Sequence, residues 1–430
     1  MLSDPKISKV HGRMVFDSRG IPTIEAEVIL NNGSIGRAIA PSGASVGKNE
    51  ALEKRDSGRK FLGLSVDKNI KFINTIISKA LTGVEVFNQK KIDTILINLD
   101  GTKNKSLLGA NTTIAVSMAS LKAASQFQNL PLWKYLSEKN KSLFLPIPQI
   151  QIFGGGAHAA NQISIQDFLI IPNGAKNFYE AIEWVYKIYR KTYEELKAKK
   201  LLMGVADEGG FWPCFDNSEE ILKFLSKIIE KCNLKALSDV SIALDVAANN
   251  FKTKLGYNFF KKKIIDTNEL LEELKNWLQK YPIISIEDPF SEEDIDYYKK
   301  LSDQSPEYLQ IIGDDLVVTN EKLILKAYNK KSINSVLIKP NQIGTISETF
   351  SAFNISKKLN LTNIISARSG ETEDTTIVDL CVGWQASQLK VGSFSRSERL
   401  IKWNECLRIG EKINNSYVMQ KNTKLKWNNL

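Results

Sequence analysis

The sequence predicts an α/β protein, with an N-terminal α+β domain over residues 1–140 and a catalytic (β/α) barrel over residues 141–430. Three observations carry that prediction. Apolar and polar residues alternate between about residues 10 and 40, helical spacing takes over afterwards, and from Leu145 onward short β-prone apolar runs alternate with longer amphipathic ones.

The turn signals Ser18-Arg19-Gly20 and Asn31-Asn32-Gly33 divide the first alternating stretch into a short antiparallel meander. Apolar residues at three- and four-residue spacing then predict helices near 68–81, 89–98, 111–127 and 131–138. In the second part, the runs at 240–244, 283–286, 309–312, 335–338 and 363–365 each precede a helical stretch. Strand and helix alternating over about 290 residues suggest a parallel barrel. No low-complexity linker separates the two parts, so they pack together.

Composition narrows the chemistry. The 43% apolar and 25% charged content is that of a globular protein, and no apolar run approaches the roughly 20 residues that cross a bilayer. The N-terminus lacks the charged-then-apolar pattern of a signal peptide, which predicts a cytoplasmic protein. Its 4 cysteines are far apart and form no CxxC pair, against a zinc site or a disulfide framework. With only 2 histidines, any metal must be held mainly by oxygen, as magnesium, manganese and calcium are. The net charge of 58 − 48 = +10 is spread along the chain and forms no basic block, so no nucleic-acid partner is expected.

A series of charged residues follows the apolar runs: Asp245, Glu287-Asp288, Asp314-Asp315, Lys339, Arg368-Ser369 and Lys390. The steps between leading residues are 42, 27, 25, 29 and 22, each about one βα unit except the first, which leaves room for an insertion around residues 257–263. Any one acid fits an N-cap of the helix that follows. A series in register fits better with one barrel mouth, where such enzymes build their sites. Three carboxylates meeting there repel unless a hard cation neutralises them, and Asp245, Glu287 and Asp314 supply the oxygens that magnesium prefers. Lys339 fits either a base, with a pKa lowered by the metal and by shielding, or an ion pair to one of the acids. Asp207-Glu208-Gly209-Gly210-Phe211 places two acids on a loop over the mouth, one of them a candidate general acid. Gly154-Gly155-Gly156-Ala157-His158 and Ser42-Gly43-Ala44-Ser45-Val46-Gly47-Lys48 are glycine loops that could close over a substrate or be ordinary turns. The second departs from a nucleotide-binding loop in its glycine spacing and has Asn49 where a hydroxyl is required.

At Ala367-Arg368-Ser369-Gly370-Glu371-Thr372-Glu373-Asp374 and Leu337-Ile338-Lys339-Pro340-Asn341-Gln342-Ile343-Gly344 the chain resembles the enolase family. Phe16-Asp17-Ser18-Arg19-Gly20, Ser285-Ile286-Glu287-Asp288-Pro289 and Gly313-Asp314-Asp315-Leu316 extend that resemblance along the whole chain. It implies an α+β domain followed by an eight-stranded barrel with an irregular start, in a homodimer. It also implies a magnesium-dependent dehydration of 2-phospho-D-glycerate to phosphoenolpyruvate. Carried over by motif, Lys339 is the base and Glu208 its acid partner. Asp245, Glu287 and Asp314 hold one magnesium, and Ser45 ligates a second. Arg368 and Ser369 take the phosphate and Lys390 the carboxylate, with His158, Gln166 and Asp167 near the substrate.

The chain departs from the family pattern at the site. The resemblance implies His where Ala367 stands, Glu at Asp167, Thr at Val46, and Asn at Ile21 and Gly154. Ala367 would also open room for a related phosphorylated or phosphonylated hydroxyacid, which is the alternative reading. A non-catalytic binding protein on the same scaffold is a third reading, disfavoured by the complete acid triad and Lys339.

Overall fold

The computed structural model describes residues 5–44, 47–138, 142–260, 263–413, 417–419 and 425–427. Strands β1 (Ile7–Phe16), β2 (Pro22–Leu30) and β3 (Ile35–Ile39) form the expected antiparallel meander, turning at the two predicted signals. Helices α1 (Asp67–Phe72) and α2 (Ser78–Leu81) flank a π-helical turn, followed by α3 (Gln89–Asp100), α4 (Ala110–Phe127) and α5 (Leu132–Leu136).

Helix α4 is buried along nearly its whole length, and its run of Ala, Ser and Thr explains how. Small side chains let the sheet lie almost on the helix backbone: a Cβ added at Gly36 of β3 would meet the Ala119 carbonyl oxygen at 2.1 Å.

Beyond residue 142, eight strands close into a barrel: β4 (Ile147–Gly154), β5 (Asp167–Ile171), β6 (Ser241–Asp245), β10 (Ile283–Glu287), β11 (Gln310–Gly313), β12 (Ser335–Ile338), β13 (Thr362–Ser366) and β14 (Gln388–Ser393). The intervening numbers belong to a small sheet, β7 (Lys252–Thr253), β8 (Gly256–Phe260) and β9 (Lys263–Ile265), which is the insertion expected near 257–263. Helices α6 (Phe178–Ala198), α7 (Ser218–Lys231), α8 (Thr267–Lys280), α9 (Ile295–Asp303), α10 (Glu321–Asn329), α11 (Pro340–Ile343), α12 (Ile346–Lys358), α13 (Thr376–Trp384) and α14 (Ser397–Lys412) complete the chain.

A uniformly parallel barrel is not what forms. β4 and β5 pair antiparallel, as do β5 and β6, while the remaining neighbours are parallel. Only residues 155–166 join β4 to β5, and they hold a single 3₁₀ turn, Gly156–Ala159. A parallel return is usually carried by a crossover helix, which these residues do not form, and the chain turns straight back. The irregular start implied by the family resemblance is present.

The N-terminal part leans over the carboxyl ends of the barrel strands and is fastened there by Asp374. Its Oδ2 accepts from the Ile39 backbone N–H at 3.1 Å and from Lys122 Nζ of α4 at 2.9 Å, and its Oδ1 accepts from the Thr376 N–H at 2.7 Å. Reciprocal backbone bonds between Ser42 and Gly370, at 2.9 and 2.8 Å, continue the seam. Burial works against the Asp374 carboxylate, but Lys122 and the Thr376 donors outweigh it and hold its pKa below the ordinary 3.8. A depressed folded-state pKa stabilises above the unfolded pKa and ceases to do so as pH falls through the folded value. Asp374→Asn should therefore cost about 1–3 kcal/mol at neutral pH, with the gap to the parent closing below about pH 4. Urea unfolding at several pH values measures it, and a gap independent of pH would refute the charge-based seam.

Candidate active site

The charged series meets at one barrel mouth. Asp245 and Glu287 are the last residues of β6 and β10 and sit directly across from each other, and Asp167, the first residue of β5, is paired with Asp245 on its other side. Asp314 follows β11 and Lys339 follows β12. None of these acids caps a helix. The α6, α7, α8, α10 and α12 N-termini are capped by Asn177, Asn217, Asp266, Asn320 and Thr345, which leaves the strand-end carboxylates free for other work.

Two lysines balance the predicted acid triad. Lys390 Nζ lies 2.8 Å from Asp245 Oδ2 and 2.8 and 2.7 Å from the two Glu287 oxygens. Lys339 Nζ pairs with Asp314 Oδ2, whose other oxygen accepts from Gln342 Nε2 at 2.7 Å. Gln166 Nε2 donates to Asp245 Oδ2 at 3.1 Å. Asp245, Glu287 and Asp314 are thus gathered through ammonium groups. Among the described residues, the sets whose ligand atoms all lie within 4.8 Å of one another are Asp288-Asp314-Asp315 and His158-Asp167-Glu208.

One expectation is corrected. Lys390 does not follow a strand but stands inside β14, from where it reaches two acids across the barrel. Protein groups alone raise the Lys339 pKa: burial opposes its charge, but the adjoining Asp314 carboxylate outweighs burial. The shielding argument thus left out the closest counter-charge. Burial and Asp245 push Glu287 well above the usual carboxylate range, so a proton on Glu287 joins the two lysines in balancing the three acids.

A second constellation faces the same cleft. His158, on the 3₁₀ turn after β4, places Nδ1 3.0 Å from Asp167 Oδ1 and Nε2 3.8 Å from Glu208 Oε1. Burial disfavours the imidazolium, yet Asp167 and Glu208 together push its pKa up to about 9. Glu208 is held below its ordinary value, because His158, Arg399 and Lys390 outweigh its burial. This group therefore favours an imidazolium between two carboxylates.

Arg368 is fixed from two sides, with Nη1 3.1 Å from Glu50 Oε2 and 3.0 Å from Asn341 Oδ1. The Ser369 hydroxyl accepts from the Ala44 N–H at 2.7 Å, tying the Ser42–Gly43–Ala44 segment to the mouth. Gly43 is required there, since a Cβ would fall 1.8 Å from Arg368 Nη2. Ser45 and Val46 lie outside the described residues. Ala44, His158, Gln166, Asp167, Glu208, Asp245, Lys339, Arg368, Ser369 and Lys390 line one cleft, together with Ala367.

Sequence reasoning passed over several partners. Asp288, quoted in a doublet with Glu287, accepts from the backbone N–H groups of Asp314 at 3.1 Å and Asp315 at 2.6 Å and so sets the Asp314 turn. Glu50 carried no strand-end signal. Arg399, fully buried on α14, donates to the Arg368 and Val391 carbonyls at 2.7 and 2.9 Å.

Residues 7–136 match the family model described as the N-terminal domain of enolase, and residues 142–426 match the C-terminal TIM barrel domain of enolase. The enolase of Ehrlichia canis (strain Jake) is 46% identical over 418 residues, covering 97% of this chain and 99% of that protein. The enolase of Anaplasma marginale (strain St. Maries) is 45% identical over 415 residues, 96% of each. The enolase of Pelagibacter ubique (strain HTCC1062) is 46% identical over 417 residues, 97% of this chain and 99% of that protein.

Proposed function

Because the chain belongs to the enolase family and is a lyase that dehydrates 2-phospho-D-glycerate to phosphoenolpyruvate in glycolysis, we propose that Lys339 is its base and Glu208 the acid partner. The observation that carries this reading is the pair of opposed groups across one buried cleft, an amine on the β12 side and the Glu208–His158 carboxylate–imidazolium pair on the other.

Lys339 Nζ takes the proton from the carbon alpha to the substrate carboxylate. Burial and the neighbouring cations Arg368 and Lys390 all favour a neutral amine there, and the chief opposing group is Asp314. Hydroxide leaves from the adjacent carbon and departs as water with a proton that the His158 imidazolium holds and Glu208 relays. Arg368 and Ser369 bind the phosphate, Lys390 the carboxylate, and Gln166, His158 and Asp167 hold the substrate between the two proton-transfer groups.

The donor set fits a divalent cation. Asp245, Glu287 and Asp314 are buried, offer only hard oxygen, and number three against two lysines, with Glu287 inclined to hold a proton that a cation would displace. We assign magnesium to this triad, with Ser45 as a ligand of a second ion. Held by these residues, a divalent ion would offset the carboxylate charge and supply electrostatic stabilisation for negative charge developing on the substrate.

The same reading gives a cap over residues 1–140, a catalytic barrel over 141–430, and a homodimer in the cytoplasm that binds no nucleic acid. An exposed apolar face supports the second copy: Phe16 packs edge-on against Phe61 at 5.9 Å, and Leu62 stands beside it 95% exposed. Among the described residues no helix is long and apolar enough to cross a membrane.

Glu287→Gln should abolish magnesium-dependent phosphoenolpyruvate formation while leaving far-UV circular dichroism unchanged. Substantial turnover in that variant would remove Glu287 from the ligand set. In Lys339→Ala, exchange of the substrate alpha proton with deuterated solvent should fall to background. Persistence at the parent rate would mean that another group is the base.

A further inference from the structure

Gln151 lies on β4, fully buried and outside the cleft wall, yet its amide joins two active-site elements. Its Nε2 donates to Asp167 Oδ1, and its Oε1 accepts from the Gly210 backbone N–H at 2.8 Å. Gly210 is two residues past Glu208 on the same loop. The chain of contacts closes on itself, from Gly210 through Gln151 to Asp167, from Asp167 to His158 Nδ1 at 3.0 Å, and from His158 Nε2 to Glu208 Oε1 at 3.8 Å. Ordinary backbone pairing fastens the loop downstream of Glu208: the Phe211 N–H donates to Ile152 at 2.8 Å and the Gly154 N–H to Phe211 at 3.2 Å.

The space around this amide is reserved by two glycines. A Cβ at Gly154 would meet Ala206 Cβ at 2.7 Å and Gln151 Nε2 at 3.2 Å, and one at Gly210 would meet Gln151 Oε1 at 2.4 Å. No water or charge is needed to satisfy the Gln151 amide, because both ends are taken by protein groups. An apolar side chain of similar volume would fill the same space and leave the Gly210 N–H and one Asp167 contact unpaired.

We propose that Gln151 is a positioning residue for the proton-donating half of the reaction. It sets the distance between the Asp167 carboxylate and the loop that carries Glu208, so that Asp167, Gly154 and Gln151 form one matched unit. The carboxylate of Asp167 reaches one C–C bond, about 1.5 Å, less far than a glutamate would, and the Gln151 amide extends to meet it. This rests on the reading of Glu208 as the acid partner, and the test separates the two.

In the full chain with magnesium, alpha-proton exchange reports the Lys339 step and phosphoenolpyruvate formation reports the whole reaction. Glu208→Gln should raise the ratio of exchange to turnover, and Gln151→Leu should raise it in the same direction, with kcat lowered about ten- to a hundredfold and KM changed less than about threefold. A proportional fall in exchange and turnover in Gln151→Leu would overturn the proposal, because a general structural defect slows both. Should the leucine variant fail to fold, Gln151→Asn keeps the amide but draws it back by one C–C bond. It should lose turnover, and Gln151→Asn combined with Asp167→Glu should recover it to within a few-fold of the parent. A double variant no better than the product of the singles would overturn the matched unit. If Glu208→Gln leaves the ratio unchanged, the acid assignment of Glu208 fails, and the recovery arm still decides whether Gln151 and Asp167 are coupled.

Discussion

Buried like charges at the ends of adjacent strands constrain everything else in this molecule. Asp167, Asp245 and Glu287 stand side by side on three neighbouring strands, and Asp314 is close behind. Carboxylates removed from water cost several kcal/mol each unless cations or donors replace the lost hydration. Lys390 answers two of them from inside β14 and Lys339 a third from the end of β12, so the barrel register and the charge balance are one problem. The loops above serve the same need: Glu50 and Asn341 hold Arg368, Asp288 shapes the Asp314 turn, and Arg399 ties the loop after β13 and strand β14 itself to α14. The cap is fastened through Asp374 and the Ser42–Gly370 bridge, which brings Ala44 onto Ser369.

Much of this was legible in the sequence, for identifiable reasons. The meander and the helices of the cap announce themselves by period and by Gly and Asn turns, and the strand-end acids stood out because each follows an apolar run. What escaped follows from the same logic. Nothing in the strand-and-helix alternation distinguishes β4 and β5 from parallel strands; only the missing crossover helix in residues 155–166 does. Lys390 was placed at a strand end because a charged residue inside a barrel strand contradicts apolar patterning, and it survives there only by touching two carboxylates. The protonation of Lys339 depends on Asp314, which is distant in sequence and adjacent in space. Gln151 is neutral and sits in an apolar run, so no charge or motif marks it. Ser45 lies outside the described residues, and its role rests on the family resemblance alone.

The departures from the family pattern gain a physical context. Asp167 and Gly154 belong to the neighbourhood of one amide, where a shorter carboxylate and a missing side chain accommodate Gln151. Ala367 stands apart from that group, on the cleft wall beside Arg368, where it adds no polar atom. The imidazole facing the cleft is that of His158, whose charge Asp167 and Glu208 maintain. Local rules are thus broken chiefly where charge, not packing, sets the structure.

The central claim is that a divalent cation takes over carboxylate charge that protons and lysines balance in its absence. Titration calorimetry of magnesium into the full chain, near neutral pH in two buffers of different ionisation enthalpy, counts protons directly. Burial and mutual repulsion raise Glu287, and carboxylate contacts keep Lys339 and Lys390 charged, so binding of the ion should release protons. Magnesium binding with no change in protonation, or no binding at all, would contradict the account.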